Sequence, residues 1–163
     1  MKRKAHVAGR EIGEGDVAPD FSLPDQRGKT IKLSNILSEG KKVVLFFYVR
    51  DDTPGCTKEA CAFRDGTSQL AAAGAKALGI SPDDSASHSK FATKYRLSFP
   101  LLADVGAKVA KAYGVYKLKN MYGRRYFGVE RSTFIIGPDG KMLKSFRRVK
   151  VDGHMKQVLE ALQ

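Results

Sequence analysis

Cys56 and Cys61 are the only cysteines in this 163-residue chain, and they lie within Thr53-Pro54-Gly55-Cys56-Thr57-Lys58-Glu59-Ala60-Cys61. Before them runs an apolar stretch that reads as a strand, and after them come good helix formers. A thiol at such a junction meets unpaired backbone N–H groups and the positive end of the helix dipole. Both favour the thiolate, which is the nucleophile. On one helix, five residues place the two cysteines about 7.5 Å apart along the axis and about 140° apart around it. A disulfide needs Cα atoms within about 7 Å, so bonding the pair requires the first helical turn to unwind. The Cys-x-x-Cys spacing of dithiol redox sites closes without such unwinding. The wider spacing suits a cysteine that first reacts with something else. Oxidation of Cys56 to a sulfenic acid and condensation with Cys61 fit that order. The bland alternative is two inert thiols on an amphipathic helix, against which Pro54-Gly55 favours an exposed helix start.

The elements that must position Cys56 are marked along the chain. Val43-Val44-Leu45-Phe46-Phe47-Tyr48-Val49 belongs to a buried strand from Lys42 to Val49, and a helix runs past the cysteines to about Ala73. Upstream, Phe21–Pro24 and Thr30–Leu33 flank the turn Asp25-Gln26-Arg27-Gly28, a hairpin signal. Ser34 is placed to cap a short helix through Leu37, ended near Gly40. Downstream, Ala75 to Ile80 reads as a strand, Ala86 to Tyr95 as a helix, Phe99 to Ala103 as extended and Ala107 to Tyr113 as a short helix. Residues 114–130, rich in glycine and tyrosine, read as a long loop. Ser132–Ile136 and Met142–Val149 form a hairpin across Gly137-Pro138-Asp139-Gly140. An amphipathic helix from Gly153 to Leu162 closes the chain. Strands alternating with helices predict an α/β layer structure around a mixed sheet. Residues 1–15 read as a flexible basic arm ahead of a single domain over residues 16–163.

Composition narrows the function classes. Apolar content of 42% and charged content of 28% are those of a globular protein. The longest apolar run, Val43 to Val49, is too short to span a membrane. The basic start Met1-Lys2-Arg3-Lys4-Ala5-His6 leads into no apolar segment, which argues against a secretory signal. Two cysteines without such a signal fit a reducing compartment, the cytoplasm by default, with plastid or nucleus as alternatives. His6, His88 and His154 are scattered, so no metal site is expected. The net charge of +12 gathers in Lys2–Arg10, Lys117–Arg131 and Lys141–Lys150. Tyr116, Tyr122, Tyr126 and Phe127 interleave with the middle cluster and could stack on nucleic-acid bases. A solvated basic face with its tyrosines packed on the core explains the same residues, so nucleic acid is not the expected partner.

The segment from Asp51 through Cys56 and Cys61 to Phe63-Arg64-Asp65 resembles the active-site segment of the peroxiredoxin Q family, also called bacterioferritin comigratory proteins. The likeness extends over nearly the whole chain: Ala18-Pro19-Asp20-Phe21, Gly79-Ile80-Ser81, Lys119-Asn120-Met121-Tyr122-Gly123 and Glu130-Arg131-Ser132-Thr133-Phe134 resemble further family segments. The resemblance implies a thioredoxin-like fold, with a central mixed β-sheet flanked by helices and an N-terminal β-hairpin. It implies a monomeric thiol peroxidase that reduces hydrogen peroxide and alkyl hydroperoxides, is recycled by thioredoxin or a similar dithiol, and needs no metal, haem or flavin. Carried over, Cys56 is the peroxidatic cysteine and Cys61 the resolving one. Thr53 contacts the thiolate and peroxide, Arg131 is the active-site arginine, and Glu59 orients it. Chemistry supports these roles independently, because attack on an O–O bond moves negative charge onto the departing oxygen, where fixed donors lower the barrier. Arg131 offers a permanent cation with several donors, although an ordinary surface arginine before a strand would read the same. Thr53 could also cap the helix. The chain departs from the family pattern at Val49, where a proline that shapes the pocket wall is expected.

Overall fold

Val43 to Tyr48 are apolar without alternation because their strand has no solvent face: all six are fully buried. The computed structural model, which describes residues 11–163, puts this strand at the centre of a five-stranded sheet. The described chain opens with a small antiparallel hairpin, β1 (Ser22–Pro24) and β2 (Thr30–Lys32), then α1 (Leu33–Leu37) and the central strand β3 (Lys42–Phe47). Next come α2 (Pro54–Asp65), α3 (Thr67–Ala72), β4 (Ala75–Ser81), α4 (Ser85–Tyr95), β5 (Leu101–Ala103) and α5 (Lys108–Ala112). A second hairpin, β6 (Tyr116–Met121) and β7 (Arg124–Val129), precedes β8 (Ser132–Ile136), β9 (Met142–Arg147) and α6 (His154–Ala161).

The sheet order is β5-β4-β3-β8-β9. β3 runs parallel to β4 and antiparallel to β8, so the sheet is mixed, as expected. Alternate residues of β3 feed two cores. Val43, Leu45 and Phe47 pack with α1, α5 and Tyr113. Val44, Phe46 and Tyr48 pack with Cys56, Ala60 and Phe63 of α2, Phe91 of α4 and Val158 of α6. Phe63 stacks on Phe46 with ring centroids 4.2 Å apart, which fixes the C-terminal part of α2 to the sheet. Such a pair contributes about 0.5–1.5 kcal/mol beyond its burial.

Four local expectations need correction. Residues 114–130 are not a loop. β6 and β7 pair in register from Tyr116↔Val129 to Met121↔Arg124, turning on Tyr122-Gly123, both at positive φ. That is the backbone of a two-residue hairpin turn. Its tyrosines do not all reach the core, since Tyr122, Tyr126 and Phe127 are exposed. The helix after the cysteines breaks at Gly66, where a Cβ would stand 3.1 Å from Met155 of α6. Ser34 does not cap α1; its N–H donates to Asp20 Oδ1, 3.0 Å away.

The expected basic arm falls mostly on residues 1–10, outside the described residues. From Glu11 onward the chain is docked, short of the expected boundary at 15. Ile12 is 2% exposed and its carbonyl accepts from Arg147 Nη2 at 2.7 Å, while Gly15 N–H donates to the Met142 carbonyl at 2.8 Å. Among the described residues, no helix is long and apolar enough to cross a membrane.

Candidate active site

Both cysteines lie on α2, and both are free thiols. Cys56, Ala60 and Phe63 follow helical spacing on its buried face, which turns the Cys56 thiol inward until the residue is only 1% exposed. Cys61 sits on the flank of the helix, half-buried. Pro54 at the first turn lacks an N–H and costs the helix nothing there.

The partner of Cys56 arrives from 75 residues away. Because β8 is antiparallel to β3, its start lies beside the end of β3, with Phe47 opposite Ser132. Arg131, one residue before β8, is thereby delivered to the helix start. Its Nη2 donates to Cys56 Sγ at 3.1 Å, and its Nη1 donates to Glu59 Oε1 at 2.7 Å. Gly55 lies against this guanidinium; a Cβ there would stand 3.4 Å from Nη2, an ordinary contact. Burial works against the charge of Arg131, but Glu59 and Cys56 outweigh it and hold its pKa above the ordinary value. One planar cation thus bridges the thiol and a buried carboxylate.

Glu59 is 1% exposed, and its Oε2 has no hydrogen-bond partner among the described residues. Burial pushes its carboxyl up from 4.5 to about 7, against the pull of Arg131. The folded protein therefore keeps a proton between these values that the unfolded chain has lost. Stability falls as pH rises through that window and stays lower above it, by roughly 3 kcal/mol for a shift of this size. Glu59→Gln is expected to flatten this slope, measured as urea-unfolding free energies from pH 5 to 8. An unchanged slope would show that another group titrates.

Thr53 stands at the N-cap of α2 but its hydroxyl makes no cap bond; it donates to the Arg50 carbonyl at 3.0 Å. Cys56, Glu59 and Arg131 are therefore joined by hydrogen bonds, whereas Thr53 and Cys61 stand near on the same helix without joining them. Val49, where β3 gives way to the loop, is 40% exposed.

Lys119 was not singled out as a site residue from the sequence. Burial and Arg131 lower its pKa, while Glu130 and Cys56 oppose this, so it belongs to the same electrostatic neighbourhood. Its side chain lies across Gly128, where a Cβ would be 3.4 Å from Cδ and Cε. The signal lay in Tyr122-Gly123, whose turn chemistry folds β6 back on β7. Behind the loop, Asp51, Asp83 and His88 bring potential ligand atoms within 4.8 Å of one another. Hydroxyl and N–H donors of the protein already engage them, so the cluster reads as a hydrogen-bond network.

Comparison with known proteins gives a consistent picture. The AhpC/TSA family model matches residues 14–145. A putative peroxiredoxin bcp of Coxiella burnetii is 48% identical over 151 residues, covering 93% of this chain and 99% of that protein. Peroxiredoxin Bcp of Bacillus subtilis is 46% identical over 149 residues, covering 91% and 94%. Among solved structures, Xanthomonas campestris peroxiredoxin Q superposes with a TM-score of 0.83 at 40% identity, covering 87% of this chain and 89% of that one. A Xylella fastidiosa PrxQ mutant gives 0.88 at 35% identity, covering 94% and 96%. These neighbours agree with the mixed sheet and flanking helices described above.

Proposed function

The chain belongs to the AhpC/TSA family as a peroxiredoxin, a thiol peroxidase, and on that footing we propose that Cys56 reduces alkyl hydroperoxides and hydrogen peroxide. The observation that carries the reading is the Arg131 guanidinium, 3.1 Å from the sulfur of the buried Cys56 and held by the buried Glu59. A related Xanthomonas campestris bacterioferritin comigratory protein, 39% identical, is described by its alkyl peroxide reduction activity.

In this reading the Cys56 thiolate attacks the nearer peroxide oxygen. An S–O bond forms, the O–O bond breaks, and the departing alkoxide or hydroxide takes up a proton. Arg131 donates where negative charge moves from sulfur to oxygen, and Glu59 keeps its fork aligned. Thr53 Oγ1 already donates to Arg50, so its lone pairs are free to accept the peroxide O–H. The Cys56 sulfenic acid then condenses with the Cys61 thiol to give a disulfide and water. Both residues ride on α2, so its first turn opens for this step; the exposed Gly55 lowers the helix propensity of that turn, and helix ends open more readily than their middles. A thioredoxin-like dithiol protein restores both thiols, the protein acts as a monomer, and a reducing compartment such as the cytoplasm suits two free cysteines.

Stopped-flow mixing of the reduced protein with hydrogen peroxide and with an alkyl hydroperoxide, followed by intact mass, tests the reading. One equivalent of peroxide should be consumed with loss of two hydrogens. A reduced protein that leaves peroxide untouched, yet reduces insulin disulfides, would make it a general oxidoreductase instead. Cys61→Ser should still react once and rapidly, but thioredoxin-coupled turnover should collapse. Undiminished coupled turnover would reject Cys61 as the resolving thiol.

A further inference from the structure

The loop that presents Cys56 has little packing of its own. Val49, Arg50, Asp52, Pro54 and Gly55 are all exposed. What holds the loop is a pair of adjacent acids, each fastened to a different end of α4. Asp51, its side chain 5% exposed, accepts from Tyr48 Oη at 2.6 Å, from Ser87 Oγ at 2.7 Å and lies 2.7 Å from His88 Nδ1. Its own N–H donates to Asp83 Oδ2 at 2.8 Å, and Ser81 Oγ donates to the same oxygen at 2.7 Å. His88 is fully buried, and its Nε2 faces the Leu102 carbonyl at 2.9 Å. That carbonyl can only accept, so Nε2 donates to it, while Nδ1 lies against the Asp51 carboxylate. The imidazole is a strut between β5 and the loop.

Asp52 makes the second attachment, at the far end of the helix. It accepts from Lys94 Nζ at 2.8 Å and Tyr95 Oη at 2.6 Å. Its φ of +59° lies in the left-handed region, which aspartate visits more readily than most non-glycine residues. The first turn of α2 begins two residues later. The two acids therefore fix the upstream end of the segment that must unwind, while Phe63 on Phe46 fixes the downstream end.

We propose that Asp51–His88 and Asp52–Tyr95 form a latch on this loop that sets how long Cys56 stays in its assembled site, and so divides its sulfenic acid between two fates. The proposal rests on the peroxidase reading above. Opening leads to the disulfide: the Cys56 sulfenic acid and the Cys61 thiol give an S–S bond and water. Staying closed leaves the sulfenate facing Arg131, where a second hydroperoxide transfers an oxygen to it, yielding sulfinic acid and an alcohol. His88 and Tyr95 are positioning residues, since neither touches the reacting atoms.

The test compares the unmodified protein with His88→Ala, Tyr95→Phe and Asp52→Ala, exposing each to graded alkyl hydroperoxide and weighing the products by intact mass. Weakening the latch should lower the second-order rate of the first oxidation by about tenfold, short of the ~100-fold that a misplacement of ~1 Å can cost. It should also speed disulfide formation and lower the sulfinic fraction at a given peroxide dose. Tyr95→Phe removes only the hydroxyl of a half-buried ring and Asp52→Ala alters an exposed side chain, so they decide the matter if His88→Ala fails to fold. Variants with lower melting temperatures but an unchanged ratio of sulfinic acid to disulfide would overturn the latch. An unmodified protein that forms neither product would overturn the peroxidase reading itself.

Discussion

Cys56→Ser is expected to bring thiol-dependent peroxide consumption down to the uncatalysed background while leaving the fold intact. A serine hydroxyl is not ionised near neutral pH, so the variant presents Arg131 with a neutral oxygen in place of a nucleophile. Cys56 lies in the core beside Ala60 and Phe63. The smaller serine oxygen fits the same space and can still accept from Arg131 Nη2, so no polar atom is left stranded. Peroxide loss in the presence of a reducing system, read beside a thermal melt, checks both halves. Retained turnover would sink the assignment of Cys56. The contrast with Cys61→Ser matters, because that variant should keep its first oxidation and lose only the recycling.

The second large effect is expected at Arg131. Arg131→Met removes two charge-assisted donors at once, one on sulfur and one on Glu59. Removing a donor from a preorganised, water-poor site costs about 10²–10³ in rate. The rate of sulfenic acid formation, followed by stopped-flow mixing with peroxide, should fall by that much. Stranding a buried carboxylate would ordinarily unfold a protein of modest stability. Here the cost is avoided, because Glu59 already holds its proton to about pH 7 and keeps it more firmly once Arg131 is gone. The variant should therefore fold and be slow. Arg131→Lys retains a charge but lacks the planar fork that reaches both partners, so it should recover only part of the rate. A Met variant as fast as the native protein would reduce Arg131 to an ordinary surface arginine.

The two cysteines, the buried strand before them and the helix start were legible because their signals are local: an apolar run, Pro-Gly, then helix formers. The mixed sheet followed from the order of such segments. Arg131 has no local signal. It looks like any arginine before a strand, and only the antiparallel pairing of β8 with β3 makes it a neighbour of Cys56. Resemblance to a family supplied what spacing could not. β6 and β7 are masked by the glycines and tyrosines that fill residues 114–130, although Tyr116-Lys117-Leu118-Lys119 alternates as a strand does. The break at Gly66 has a local mark in the glycine itself, while the closeness of Met155, almost ninety positions away, could not be read from the helix. His88 looked like a stray histidine; its meaning lies wholly in Asp51 and Leu102, which the sheet brings to it.

The β6–β7 hairpin has a consequence for how such a chain can change over time. The Glu130 N–H donates to the Val115 carbonyl at 2.7 Å, so the ribbon leaves and returns at one closed point of the backbone. Lengthening it by whole ladder steps at Tyr122-Gly123 moves nothing at that point, and Arg131 still follows one residue after Glu130. A single residue inserted between Arg131 and Ser132 would instead rotate the guanidinium away from the sulfur. Insertions and deletions are free to accumulate at the tip of the ribbon and are barred within a residue or two of its base. The hairpin is thus the place where this molecule can acquire new surface without renegotiating its chemistry.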